Sequence, residues 1–323
     1  MTRVLVTGGS GRLGRSVVAG FADAGLTVTS ADREIPELQD PRVSYRTADL
    51  TEPEDARTLL RAAAPHVVVG LAAIAVPFSA PEHVILSTNA LIAHNTAAAA
   101  VEADAGRIVL ASSPTVVGYG APAGWRPDAL PLTEETPARP WHAYGLSKFV
   151  AEQTIRMFAA QRGATTRFAS FRPCFVIAPE EWAGAPTQQG HTVRERLDDP
   201  SLAAPSLFNY VDARDVTDFL LLLLDRMDDI PNGDTFFVGA PDALAREPLA
   251  QLLPAVLPEI GDLAVGLTGS RSAFSIEKAR RLLGWEPTRR WRDQLAPASR
   301  TAPSADPGAA DHLTSTGTPE VTR

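Results

Sequence analysis

Val4-Leu5-Val6 is a short run of β-branched and aliphatic residues that stops at Thr7, and glycines at a spacing of three follow at once, Gly8, Gly11 and Gly14. A helical pattern over residues 12–24 opens inside this G-x-x-G-x-x-G turn, with Arg12 and Leu13 between the last two glycines. A second short run, 26–30, closes on Asp32, eighteen residues beyond Gly14. Glycines for conformational freedom alone are common in turns; strand, turn, helix and a distant carboxylate in this order are not. Such a turn lets a pyrophosphate approach the backbone, where the N–H groups and the positive helix end hold its charge. A carboxylate ending the second strand accepts hydrogen bonds from the ribose hydroxyls and repels a 2′-phosphate. Asp32 therefore points to NAD over NADP, with Arg33 pulling the other way. Asp49-Leu50, after the third run, is expected at the adenine edge, with Asp49 accepting from the exocyclic amine.

The rest of the chain continues this alternation. Strand-like runs at 43–46, 67–71, 107–111 and 166–171 are separated by helical patterns at 53–63, 81–103 and 144–162. Strands alternating with helices of ten to twenty residues mean βαβ units. The expected fold is α/β, a Rossmann-type doubly wound parallel sheet with a smaller C-terminal substrate-binding lobe. Residues 179–208 hold Trp182, two glutamines and several prolines without a long periodic element, and read as an insertion that covers a substrate. Regular patterns resume at 215–226, 235–239 and 275–283. The cofactor-binding part is thus expected over 1–178, sharing later strands with a substrate lobe over 179–296. The remainder, 297–323, lacks hydrophobic periodicity and is expected to be disordered.

Composition closes several alternatives. Thirty Lys and Arg stand against 38 Asp and Glu, and a net charge of −8 offers no basic footprint for nucleic acid. One cysteine, Cys174, allows neither an internal disulfide nor a cysteine zinc cluster, and His142 and His191 have no metal-ligand spacing with any carboxylate cluster, so no metal is expected. Charge and glycines interrupt the N-terminal apolar run, unlike a signal peptide. The apolar run 219–224 is too short to cross a bilayer. A cytoplasmic protein without nucleic-acid or membrane partners is the expectation.

Tyr144 and Lys148 form Y-x-x-x-K at the start of a helical pattern, which puts phenol and ammonium on one face. A free phenol titrates near 10. A lysine cation and an oxidised nicotinamide beside it would stabilise the phenolate, making Tyr144 a base for a hydroxyl proton while hydride leaves the same carbon. Ser113, at the end of the fifth run, would hydrogen-bond the same oxygen.

With these residues in place, the sequence resembles the extended short-chain dehydrogenase/reductases, within the NAD-dependent epimerase/dehydratase group. The likeness spans TGGSGRLG (7–14), ADL (48–50), GLAA (70–73), Asn89, LASSPTVVGYG (110–120), YGLSK (144–148), FRP (171–173), NYVDARDV (209–216) and LLGWEP (282–287). It implies Ser113, Tyr144 and Lys148 as the catalytic set. It also implies Leu71, Ala72, Ala73, Asn89 and Pro173 beside the cofactor, and a homodimer. The sequence departs from the group where Ser113-Pro114-Thr115 lacks the acidic pair used by sugar dehydratases. It departs again at Arg172-Pro173-Cys174-Phe175, where many nucleotide-sugar members carry an amide in the place of Phe175. The stretch ASSPTVVGY is also similar to the uronate dehydrogenases.

Ser113, Thr115, Tyr144, Cys174, Phe175, Trp182, His191 and Arg271 are the candidate substrate contacts, Cys174 as a small hydrophobe and not a nucleophile. His142 is expected to cap its helix, and Asp212 and Asp215 to supply turn and N-terminal charges. The leading reading is an NAD-dependent oxidoreductase or epimerase that moves hydride reversibly at a secondary alcohol of a sugar or sugar-derived substrate. A nucleotide-sugar 4-epimerase with a transient ketone, a free uronate-type sugar dehydrogenase, and a non-catalytic dinucleotide sensor are the alternatives.

Overall fold

The computed structural model describes residues 1–295, so the tail expected at 297–323 lies outside the described residues. Seven strands form one sheet: β1 (Arg3–Thr7), β2 (Thr27–Asp32), β3 (Val43–Thr47), β4 (Val67–Gly70), β5 (Arg107–Ala111), β6 (Arg167–Pro173) and, much later in the chain, Asp234–Val238. Every neighbouring pair is parallel. Two short strands, β7 (Val176–Ile177) and β8 (Val211–Asp212), pair by themselves, which makes Asp234–Val238 β9. The order in the main sheet is β3-β2-β1-β4-β5-β6-β9. Chain direction across the sheet reverses between β1 and β4, and ligands of such sheets bind outside the carboxyl ends of the strands at that point.

The period of two along the strands assigns each face. Val4 and Val6 turn to one side, against Val17 and Phe21 of α1 (Arg12–Asp23) and the Phe219 region. Leu5, Val68 and Ile108 turn to the other, against α2 (Pro53–Ala63), α3 (Glu82–Glu102) and α4 (Ala143–Arg162). Both faces are covered, as the near-continuous apolar runs of a parallel sheet require.

α3 is 21 residues long and apolar enough, by length and composition, to cross a bilayer. Its packing is that of a core helix: Asn95 Nδ2 donates to the carbonyls of Leu50 and Thr51 at 3.0 and 3.1 Å, and Ala93, Ala97 and Ala100 are buried against the sheet.

The 179–208 stretch holds short pieces, α5 (Pro179–Trp182), α6 (Val193–Asp198) and two 3₁₀ turns. Trp182, Val193 and Leu197 bury with Tyr210 and Trp291 in a small separate cluster. Then come α7 (Ala213–Arg226), α8 (Leu249–Val256), α9 (Glu277–Leu283) and α10 (Trp291–Gln294). The expected alternation of long elements matches. The sequence reading missed the short elements and α8, whose pattern is broken by an internal proline, Pro254.

Candidate active site

A cleft of about 900 Å³ runs along the carboxyl ends of β1, β2, β4, β5 and β6. Its floor is the glycine turn. A Cβ on Gly14 would lie 2.0 Å from the Gly8 carbonyl oxygen, and one on Gly8, which has φ +73, would lie 2.5 Å from the Ala72 amide. The backbones of two loops meet there with no room for side chains, which leaves a bare peptide surface at the N-terminus of α1. That surface fits a pyrophosphate. Gly11, Arg12 and Leu13 line the same floor. Asp32 ends β2 with one carboxylate oxygen accepting from the Ser10 N–H at 3.1 Å and the other from the Arg33 N–H at 2.8 Å, and it faces the cleft beside Arg33.

Leu71, Ala72 and Ala73 leave β4 along the wall, and Asp49 and Leu50 sit at the far end. Asp49 is also a turn residue, accepting from the Thr51 N–H and hydroxyl at 2.9 and 2.7 Å, bonds that hold its carboxyl below the usual range. Asn89 is not on this wall. Its side chain is buried, with Oδ1 accepting from the Ile74 N–H at 2.8 Å and Nδ2 donating to the Ile74 carbonyl at 3.1 Å and to Ser147 Oγ at 3.1 Å. It braces the loop after β4 from behind.

Ser113, Tyr144 and Lys148 meet at the ends of β5 and α4. Ser113 caps a 3₁₀ turn, and its hydroxyl accepts from the Thr115 N–H at 3.2 Å and the Thr115 hydroxyl at 2.9 Å. α4 is capped by His142, whose Nδ1 accepts from the Gly145 N–H at 3.0 Å, so the expected capping role holds. The Lys148 ammonium donates to the Ala111 carbonyl at 3.0 Å and lies 5.8 Å from the Tyr144 ring centre. Burial depresses the lysine to about 8 and raises the phenol to about 12, while the Ser113 hydroxyl facing the phenol works in the opposite direction. Burial dominates the phenol in this structure, and the expected lowering rests on Lys148 together with an oxidised nicotinamide, the further positive charge.

Beneath these residues lies a network the sequence reading missed. Ser112 Oγ donates to Glu152 at 2.6 Å, and Glu152 is in turn bound by Arg172. Glu152 stands four residues after Lys148, so helical spacing was the available signal.

The substrate end of the cleft includes Thr115, Cys174 and Phe175 as expected, joined by Tyr119, Gln188, Gln189, Ser206 and Asn209, and Pro173, expected beside the cofactor, lines the same cleft. Cys174 is buried and its thiol is pushed well above the ordinary range, in keeping with a packing role. Tyr119 is likewise buried and raised by desolvation. Asn209 accepts from the Phe175 N–H at 2.7 Å through Oδ1, and its Nδ2 has no partner among the described residues.

Three expected contacts lie elsewhere. Trp182 turns into the small cluster and donates to Asp212 at 2.8 Å, because the bulky indole finds its burial there. His191 lies off the cleft, its carbonyl closing a turn by accepting from the Thr187 N–H at 2.8 Å. Arg271 is exposed, with a bond of 3.4 Å to the Gly266 carbonyl. Asp212 caps α7 by accepting from the Arg214 N–H at 2.8 Å, and Asp215 accepts from the backbone N–H groups of Thr288 and Arg289.

The mouth of the cleft carries two aromatic residues the sequence reading did not single out, Phe78 and Trp141. Phe78 has φ +63, which costs an L residue about 1–2 kcal/mol.

Comparison with known proteins agrees with this architecture. The chain is 33% identical over 159 residues to a 2′-dehydrokanamycin reductase of Streptomyces kanamyceticus, covering 48% of this chain and 38% of that protein. It is 31% identical over 173 residues to a UDP-glucose 4-epimerase of Azospirillum brasilense, covering 50% and 46%. It thus spans about half the length, or less, of the curated relatives it matches. A short-chain dehydrogenase/reductase superfamily protein of Agrobacterium tumefaciens, solved with bound NAD, has the same fold, with a TM-score of 0.67 and 24% identity over 90% of this chain and 94% of that one. The sequence profile of the NAD dependent epimerase/dehydratase family matches residues 4–239, the stretch that builds the sheet and the cleft, and the chain is a member of that family of enzymes.

Proposed function

We propose that the protein transfers hydride reversibly between NAD and a secondary alcohol or ketone of a sugar or sugar-derived substrate, with Tyr144 as the acid and base. The observation that carries this reading is that one cleft joins the bare glycine turn and Asp32 to the Ser113, Tyr144 and Lys148 group. Gly8, Gly11 and Gly14 would hold the pyrophosphate and Asp32 the ribose hydroxyls, which favours NAD over NADP. NAD, when bound, would supply a hydride acceptor and a positive charge beside the phenol. Lys148 holds a second charge 5.8 Å from the ring centre, which favours the phenolate and opposes the burial that raises Tyr144 to about 12. Ser113 orients the substrate hydroxyl, Tyr144 takes its proton as hydride leaves the carbon, and both return in the opposite direction.

Two features support a reaction without dehydration. Ser113-Pro114-Thr115 offers no carboxylate to eliminate water, and no acidic side chain faces the cleft beside Tyr144 among the described residues. The names of the relatives divide between a sugar epimerase and a reductase, and the same three residues serve both outcomes. A homodimer through α3 and α4 is part of this proposal, supported by Leu91, Leu146 and Met157, which are 46%, 39% and 38% exposed on those helices.

The test is single-turnover oxidation with stoichiometric protein and excess NAD over sugars, sugar acids and nucleotide sugars. Reduced nicotinamide formed by the native protein, and slowed about 10²- to 10⁴-fold in Tyr144→Phe, is the expected result. Equal rates in the two proteins overturn the assignment. Sustained accumulation identifies a net dehydrogenase, and interconverted sugar without accumulation identifies an epimerase.

A further inference from the structure

Phe78 occupies the third position of the turn Val76–Ser79, which is closed by the Ser79 N–H to the Val76 carbonyl at 3.4 Å and the Ser79 hydroxyl to the same oxygen at 2.8 Å. Pro77 precedes it, and its φ is +63, the combination for which a turn ordinarily takes glycine. A large aromatic residue is held here in a left-handed conformation, yet 60% of it is exposed, so burial in the fold does not account for its choice.

The ring has defined neighbours. Its centroid lies 5.7 Å from that of Trp141 and 5.4 Å from that of His142, the latter edge-on. Trp141 is fixed by its indole N–H, which donates to the Tyr119 carbonyl at 3.0 Å. Among the five tryptophans it alone is open to solvent, at 37% against 8% or less for the others. His142 in turn stacks on Tyr144, with centroids 6.2 Å apart and planes 17° from parallel. A continuous run of rings therefore leads from the cleft mouth to the reacting phenol. The amides of Gln188 and Gln189 line the same cleft; the Gln189 Oε1 accepts from Arg196, which leaves its Nε2 and the Gln188 amide suited to hydroxyl groups.

We propose that Phe78 and Trp141 form a platform for a second carbohydrate ring, joined by a glycosidic link to the ring that reacts at Tyr144. The inference rests on the sugar-directed reading above and narrows it: the substrate is a glycoside of at least two rings. The planes of Phe78 and Trp141 are 38° apart, so the C–H-rich face of a pyranose packs into the shallow angle between them, and aromatic side chains lose little conformational entropy on binding. The strained turn holds Phe78 in place for that contact, and the hydroxyls at the ring edge remain free for the amides.

The experiment measures binding of hexose disaccharides, the matching methyl glycosides and UDP-hexoses to full-length Tyr144→Phe protein, with and without NAD. Tryptophan emission and calorimetry are the readouts. At least one disaccharide is expected to bind about tenfold more tightly than either component methyl glycoside and to change the emission of Trp141. Phe78→Gly is expected to erase that margin without lowering the thermal midpoint, because glycine relieves the turn. Trp141→Phe is expected to retain the margin and lose the emission change. The proposal is overturned if no disaccharide has the advantage or if the advantage survives Phe78→Gly. It is equally overturned if only UDP-hexoses show the Phe78-dependent margin, or if Phe78→Gly changes the oligomeric state. A preserved margin together with no reduced nicotinamide from any sugar in the native protein supports the platform and removes the hydride-transfer reading instead.

Discussion

Glu152 and Arg172 form a two-pronged ion pair below the site, with Nε to Oε1 at 2.7 Å and Nη2 to Oε2 at 2.9 Å, and their side chains are 0% and 4% exposed. The same Oε1 accepts from Ser112, whose hydroxyl also lies 3.3 Å from the Lys148 carbonyl. β5, α4 and β6 are pinned together one layer beneath Ser113 and Lys148.

Removing one member of this pair leaves the other charged and buried. Glu152→Ala is expected to destabilise the protein by about 3–5 kcal/mol, whereas the double replacement Glu152→Leu with Arg172→Met is expected to cost much less. Urea unfolding of the single and double variants checks this. A single variant within 1 kcal/mol of the native protein (roughly the value of an exposed pair) would contradict the network described.

Gly14→Ala puts a methyl group 2.0 Å from the Gly8 carbonyl oxygen, a contact relieved only by moving backbone. Displacement of the turn by an ångström is expected to weaken NAD binding about 100-fold, read by calorimetry. Gly106→Ala is the control: its nearest neighbour would be the His66 carbonyl at 3.8 Å, and binding is expected to be unchanged.

Lys148 has a definite pH signature. Its pKa is about 8 in the fold against 10.5 in the unfolded chain. Between those values the unfolded state binds more protons, so this group's contribution to stability is complete above 10.5 and is lost as pH falls to 8. Lys148→Met removes the dependence. The stability of the native protein relative to Lys148→Met is therefore expected to rise by about 2–3 kcal/mol from pH 7 to pH 10, measured by chemical unfolding across that range. A difference that stays flat would show the ammonium to be solvated.

The parts of the site legible in the sequence are those whose geometry is local. Gly8, Gly11 and Gly14 mark a turn by their own spacing, and Tyr144 and Lys148 share a helix face by theirs. Asp32 is legible because it ends the strand beside the turn. Trp182 and Trp141 are both tryptophans in loop-rich stretches, and nothing in either flanking sequence says which turns inward. Asp212, thirty residues away, draws Trp182 off the cleft, while the Tyr119 carbonyl holds Trp141 on it. Phe78 is hidden for a different reason, since its importance lies in a positive φ that the residue type argues against. Asn89 shows the limit of resemblance: the residue is present, but it supports the cofactor wall from behind.

The position of β9 has a temporal consequence. About sixty residues separate the end of β6 from the start of β9, the strand that covers its outer edge. At roughly 5–20 residues per second a ribosome needs several seconds to deliver them. A nascent chain that folds β1–β6 within that interval carries a bare row of N–H and C=O groups along β6, a template for pairing with another chain. Fragments that stop short of residue 234 keep that exposure permanently. The step that removes this template is the arrival of β9, which ties protection of the sheet to completion of the C-terminal third.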